Sequence, residues 1–149
     1  MGKSLIQQAR GKGSMTYQVR KKAYIYRVGY PIKEGEADVL KIIHSAAHTA
    51  PLLKSKLGKE IFFNVAFDGA IEGQKVSVGG KVPENGNVLC LRDIPIAHNI
   101  FNIEINPGDG GKMIRTSGGS AVIHKKYENG KVGVMMPNKH EVLLDGACR

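Results

Sequence analysis

Tryptophan is absent from this 149-residue chain, and phenylalanine occurs four times. With nineteen glycines, and apolar runs broken by Gly, Pro and Asn, that scarcity argues for many short strands rather than long helices. Two cysteines, Cys90 and Cys148, have no CxxC spacing. No signal-peptide core precedes them, so free thiols in a reducing, cytosolic setting are expected. No apolar run approaches the roughly 18 residues of a membrane span, and no membrane partner is expected. At 16.1 kDa the chain holds one ordinary domain or two very small barrels, each burying only a modest fraction of its surface.

Catalytic constellations are missing as well. Ser120 does not lie in a GxSxG turn, neither cysteine has a histidine near it in sequence, and the carboxylates are scattered. His44 and His48 are four apart, but no Cys or acidic ligand stands beside them, so no metal is expected. The run Pro107-Gly108-Asp109-Gly110-Gly111-Lys112 resembles a phosphate loop only superficially, because GxxxxGK[ST] spacing and a following helix pattern are both lacking. Neither enzymatic activity nor a cofactor is expected. A small enzyme holding a phosphorylated ligand on the glycine loop is the rival reading.

Acidic residues are absent from one region in particular. Residues 1–33 carry eight Lys/Arg and no Asp or Glu, whereas 34–99 carry seven against eight and 100–149 seven against five. The formal charge of +9 therefore sits almost wholly in the N-terminal arm. A field of that sign favours anionic partners, chiefly nucleic acid or acidic membrane. Lys3, Arg10, Lys12, Arg20, Lys21, Lys22 and Arg27 are the candidate phosphate contacts, and Tyr17, Tyr24 and Tyr26 add surfaces for stacking on bases. In isolation the arm is expected to lack structure, since few apolar residues recur at any regular period. A merely solubilising tail or a targeting peptide is the blander alternative.

From Glu36 the pattern becomes that of short strands: Val39 to His44, a segment after Pro51, Glu60 to Phe67, Lys75 to Val78, and Val88 to Leu91. These suggest a small antiparallel barrel. A second unit begins near Ile94, with strands expected through Ile103 and Ile105, from Lys112 to Thr116, Ala121 to Lys126, Lys131 to Met136, and Glu141 to Leu144. Asn129-Gly130 is the strongest hairpin signal in the chain. The stretch Asn102 to Arg115 reads as a strand entering a glycine-rich loop. Its glycines Gly108, Gly110 and Gly111 are expected to turn N–H groups outward toward phosphate beside Lys112 and Arg115. Lys139 and Arg149, at a turn and past the last strand, are further candidate RNA contacts.

Several segments, in order, resemble a known family. Met1 to Ser14, Ile43-His44 followed by Ala50-Pro51-Leu52, Gly86 to Leu89, Asn102-Ile103-Glu104 with Pro107 to Lys112, and Ala147-Cys148-Arg149 are similar to large-subunit ribosomal protein two in its archaeal and eukaryotic branch. The resemblance covers the whole chain but only about the first three-fifths of the family. It implies an all-β protein: an extended basic RNA-binding arm (1–35), an oligonucleotide-binding (OB)-fold-like barrel (36–93), and an SH3-like barrel lacking its closing strand (94–149). It implies a structural constituent of the large ribosomal subunit in the cytoplasm, with ribosomal RNA and neighbouring ribosomal proteins as partners.

The sequence departs from the family in places. Ser45 to His48 stands where the family has Asp-Pro-Gly-Arg, leaving His48 as the candidate contact of that loop. Ile96-Ala97 replaces Glu-Gly, and Pro137-Asn138-Lys139 replaces Pro-Ser-Gly. The missing strand implies either a second polypeptide that completes the barrel or a chain that is a piece of a longer one. A free two-barrel translation factor similar to initiation factor five A, or another single-strand nucleic-acid-binding protein, is the alternative reading.

Overall fold

Alternation sets the first sheet. In β1 (Gly35–Ile43), Ala37 and Val39 are buried while Glu36, Asp38 and Leu40 face out, the mark of a strand covered on one side. The structure, a computed structural model, describes residues 8–149. β1 pairs antiparallel with β2 (Leu52–Leu57) and β4 (Lys75–Val78), and β2 pairs with β3 (Glu60–Val65), giving the order β3-β2-β1-β4. Leu57 faces Glu60, so β2 and β3 are joined by the two-residue turn Gly58-Lys59. Ala37, Val39, Leu53, Phe62, Val76, Val78 and Val88 form the buried cluster of this sheet.

The second sheet has the order β5-β6-β7-β8, from β5 (Asn99–Ile100), β6 (Ala121–Lys126), β7 (Lys131–Met135) and β8 (Glu141–Asp145), all antiparallel. Asn129-Gly130 makes the expected turn, with the Tyr127 N–H on the Lys131 carbonyl at 2.9 Å and the Gly130 N–H on the Tyr127 carbonyl at 3.1 Å. Ile100, Ile103, Ala121, Ile123, Val132, Val134 and Leu144 share their core with Leu89, Leu91, Ile94 and Cys148. The linking segment is stitched to the residues after β8: Leu91 N–H donates to the Cys148 carbonyl at 2.8 Å and Arg92 N–H to the Gly146 carbonyl at 3.0 Å. The all-β expectation holds. The only helical turns among the described residues are Gln8–Gly11 and Met15–Tyr17, both in the arm.

Three expected strands are absent. Val88 to Leu91 contributes a single bridge, Val78 to Val88, and the runs through Ile103–Ile105 and Lys112–Thr116 contribute one bridge, Ile103 to Met113. For the last two runs the physical reason lies at Asn102, Ile103 and Glu104. All three are buried, which an alternating half-exposed strand does not allow, and Asn102 and Ile114 have left-handed backbones at φ 49° and 53°. The first strand also starts earlier than expected, at Gly35 rather than Val39, and ends at Ile43.

The arm meets the body at its C-terminal end. Val28 forms a parallel bridge with Phe63, and Gly29 N–H donates to the Phe63 carbonyl at 3.0 Å. The Tyr26 ring lies 5.0 Å from that of Phe63, centroid to centroid. Val28 is buried with Ala50, Leu52 and Val65 in a third, small cluster.

Burial separates costly positions from neutral ones. Ile123→Ala, at a position with no exposed surface, should lower the unfolding free energy by about 2–5 kcal/mol. Leu143→Ala on the outer face of β8, 54% exposed, should stay within about 0.5 kcal/mol. Urea denaturation of the full chain reads both, and equal costs would refute the assigned faces of the second sheet.

Candidate nucleic-acid interface

The glycine corner is built around two side chains with no solvent contact, Asn102 and Glu104. A buried carboxylate must be surrounded by donors, because leaving water without replacement hydrogen bonds costs several kcal/mol, of order 3–5. Glu104 Oε1 accepts from Gly110 N–H at 3.0 Å, and Oε2 accepts from Gly108 N–H at 3.2 Å and Arg149 N–H at 2.8 Å. The Arg149 guanidinium stands 3.8 Å from Oε1, and Glu104 N–H returns a bond to the Arg149 carbonyl at 2.8 Å. Asn102 is divided among three neighbours. Its Nδ2 donates to Asn64 Oδ1 on β3 at 2.7 Å, its Oδ1 accepts from Arg115 Nε at 2.9 Å, and its carbonyl accepts from the Tyr30 hydroxyl at 2.5 Å. No buried side-chain N or O among the described residues lacks a partner.

A second carboxylate ties the loop from its outer side. Asp109 Oδ2 accepts from Ile105 N–H and Asn106 N–H, and Oδ1 from Gly111 N–H, all at 3.1 Å. The amides of Gly108, Gly110 and Gly111 therefore point at carboxylates of their own chain. The expectation that they face outward to phosphate is corrected: the loop folds back over Glu104, and its anion is internal.

Two glycines are required here by space as well as conformation. A Cβ on Gly111 would sit 2.5 Å from both Asn102 oxygens at φ 79°, and one on Gly110 would sit 3.2 Å from Gly29 Cα at φ 81°. L-residues rarely adopt that region, and backbone oxygen cannot move aside cheaply.

Titration follows from the same surroundings. Burial works to raise the Asp109 carboxyl, but the amides of Asn106, Ile105 and Gly111 outweigh it and, with Lys112, hold it below the ordinary carboxylate value. Burial, reinforced by Glu104, raises the Tyr30 hydroxyl far above the ordinary phenol, keeping it a donor. Burial pushes the Cys148 thiol up to about 11, with Glu104 and Asp145 adding to the effect, and burial raises Cys90 as well. Neither sulfur is poised as a thiolate nucleophile.

The fourteen candidate contacts among the described residues divide by exposure. Arg10, Lys12, Arg20, Lys21, Lys22, Arg27, Lys112 and Lys139 are exposed, and the Arg10 guanidinium lies 5.8 Å over the Tyr17 ring. Lys139 tops the turn after β7 with φ 64°. His48 is half-buried, its Nδ1 2.9 Å from Ser45 Oγ. Lys3 lies outside the described residues. The remaining candidates belong to the corner. Gly110 and Gly111 are buried beneath it, and Gly108 is on its rim. Arg115 Nη2 donates to the carbonyls of Gly111, Gly110 (3.4 Å) and Val28 (3.5 Å). Arg149 Nη1 donates to the Pro31 carbonyl at 3.0 Å, with its guanidinium 5.6 Å over the Tyr30 ring.

Sequence reasoning quoted Asn102 and Glu104 only as part of the family resemblance, not as residues that build the site, and did not single out Tyr30 or Asn64. An acid set between Ile103 and Ile105 is the one local signal that existed. Among the described residues, no cluster of three or more His, Cys, Asp or Glu is placed to hold a metal ion. What the surface offers chemically is exposed ammonium and guanidinium groups, suited to phosphate.

Residues 84–149 match the sequence model of the C-terminal domain of ribosomal proteins L2. The chain is 37% identical over 154 residues to large ribosomal subunit protein uL2 of Methanoculleus marisnigri, a match that takes in 99% of this chain and 64% of that protein. The uL2 protein of Korarchaeum cryptofilum is 34% identical over 157 residues, covering 100% of this chain and 63% of its own. That of Metallosphaera sedula is 37% identical over 142 residues, covering 93% and 59%. The chain thus spans about three-fifths of the length of these relatives.

The corner should respond to its two carboxylates differently. Glu104→Gln places an amide N–H₂ among donors and should cost roughly 2–4 kcal/mol in urea unfolding at neutral pH. Asp109, with a depressed folded pKa, stabilises above its ordinary unfolded value of 3.8, and that contribution disappears as pH falls through the lower folded value. Wild type should therefore lose more stability than Asp109→Asn on acidification below about pH 4. A neutral effect of Glu104→Gln would contradict the assigned bonds.

Proposed function

We propose that the chain is an L2-like large-subunit ribosomal protein, a structural constituent of the large ribosomal subunit which binds ribosomal RNA; its 34–37% identity to the uL2 proteins supports the family. The observation that carries the reading is charge. Eight cations and no acid occupy residues 1–33, and those from Arg10 to Arg27 are exposed around a chain with little regular structure of its own. Each such side chain can neutralise one phosphate and release its counterions, and ordering of the arm is then offset by contact with folded RNA. Exposed Tyr17 and Tyr24 offer faces for bases or ribose.

The body supplies a second set of contacts. Lys112 beside the corner, Lys139 on its turn and His48 in the loop after β1 are the exposed or half-exposed candidates there. Arg115, Arg149 and the three glycines serve the RNA surface by holding its shape, since their polar groups are committed within the protein. Binding of this kind needs no turnover, and the role is architectural. Its place is the cytoplasmic ribosome, among ribosomal RNA and neighbouring ribosomal proteins. The likeness to uL2 along nearly the whole of this chain weighs against a free two-barrel factor.

Salt tests the arm. With about six phosphate contacts, affinity for a large-subunit ribosomal RNA fragment should fall by roughly three decades between 50 and 200 mM salt. Deleting residues 1–27 should flatten that dependence. Salt-independent binding, or an unchanged slope after the deletion, would overturn the arm's role. Sedimentation with the large subunit through a moderate-salt wash checks the ribosomal assignment, and quantitative release to the soluble fraction would contradict it.

A further inference from the structure

Residues 28–31, which follow Arg27, are held from two sides. On one side, Val28 bridges to Phe63 and Gly29 N–H donates to the Phe63 carbonyl at 3.0 Å. On the other, four contacts arrive from the corner and the residues after β8. Arg115 Nη2 reaches the Val28 carbonyl at 3.5 Å, Gly110 abuts Gly29, the Tyr30 hydroxyl reaches the Asn102 carbonyl at 2.5 Å, and Arg149 Nη1 reaches the Pro31 carbonyl at 3.0 Å. The Arg149 guanidinium also covers the Tyr30 ring at 5.6 Å. Four consecutive residues are thus held between the first sheet and the corner, while Arg20 to Arg27, immediately before them, are exposed except for Ala23 and the half-buried Tyr26.

From this we infer that Arg115, Arg149 and Tyr30 are positioning residues that latch the root of the basic arm to the glycine corner. The latch fixes the direction in which Arg27, and the cations before it, leave the body. A charged segment on a free tether binds any polyanion, whereas one whose root is fixed presents its charges in one arrangement. Part of the ordering cost is then met before RNA arrives. The latch therefore contributes to choice among RNAs rather than to charge. The inference rests on the RNA-binding reading for its purpose, but the latch itself is a property of the protein alone.

Two charge-preserving variants separate the possibilities. Arg149→Lys removes the guanidinium fork and Tyr30→Phe removes only the hydroxyl, so the second carries the test if the first fails to fold. Without RNA, trypsin cleavage after Arg27 should accelerate about tenfold relative to cleavage after Lys22, the worth of one hydrogen bond. With RNA, affinity for a large-subunit ribosomal RNA fragment should fall about tenfold while affinity for an unrelated RNA of equal length stays unchanged, because the net charge is the same. An unchanged cleavage ratio, or equal loss on both RNAs, would overturn the latch. A wild-type chain that binds both RNAs equally would count against the ribosomal reading, and the cleavage ratio would still decide the latch.

Discussion

A carboxylate sealed from water dictates what surrounds it, and Glu104 is answered by the amides of Gly108, Gly110 and Arg149. That requirement fixes the path of the loop, since two amides two residues apart reach the same carboxylate only if the chain turns sharply over it. The turn demands left-handed backbone at Gly108, Gly110 and Gly111, and the glycines follow from the acid rather than from any external anion. Asn102 extends the constraint outward. Through Asn64 it holds β3, through Arg115 it holds the far side of the loop, and through Tyr30 it holds the arm. Buried networks of this sort are valuable only when complete, because each missing partner leaves a desolvated group behind.

The molecule therefore separates its charges by purpose. Glu104 and Asp109 are spent on the protein's own amides, and the Arg149 and Arg115 guanidiniums on its own carbonyls. The exposed cations are concentrated in the arm and at loop tips, where they face solvent and a phosphate backbone can reach them. A glycine-rich loop beside a lysine reads like a phosphate cradle, yet here the cradle is already filled by side-chain carboxylates. The amides of the corner are thereby closed to an external phosphate, and the exposed side chain of Lys112 beside them is the group left facing solvent.

Much of the fold was legible from local pattern. Asn129-Gly130 between the runs Ala121–Lys126 and Lys131–Met136 placed the β6–β7 hairpin, and short apolar runs broken by turn residues placed the first sheet. Composition alone located the arm. What sequence could not carry was the inward direction of the corner's amides, because glycine permits either sense and its partner decides. Arg149 lies 45 residues from Glu104, and Tyr30 lies 72 from Asn102, so neither pairing leaves a short-range trace. The alternation of Ile103 and Ile105 suggested a strand for the same reason: the polar residues flanking Ile103 are buried by distant donors that the local pattern does not contain.

Amide hydrogen exchange at Gly108 and Gly110, read by NMR on the free chain and on its complex with a large-subunit ribosomal RNA fragment, addresses the central claim most directly. Bonds to Glu104 predict that both amides are already strongly protected in the free protein, and change little when RNA binds. Amides that exchange rapidly in the free chain and become protected only in the complex would contradict the account, and would return the corner to the role of a phosphate cradle.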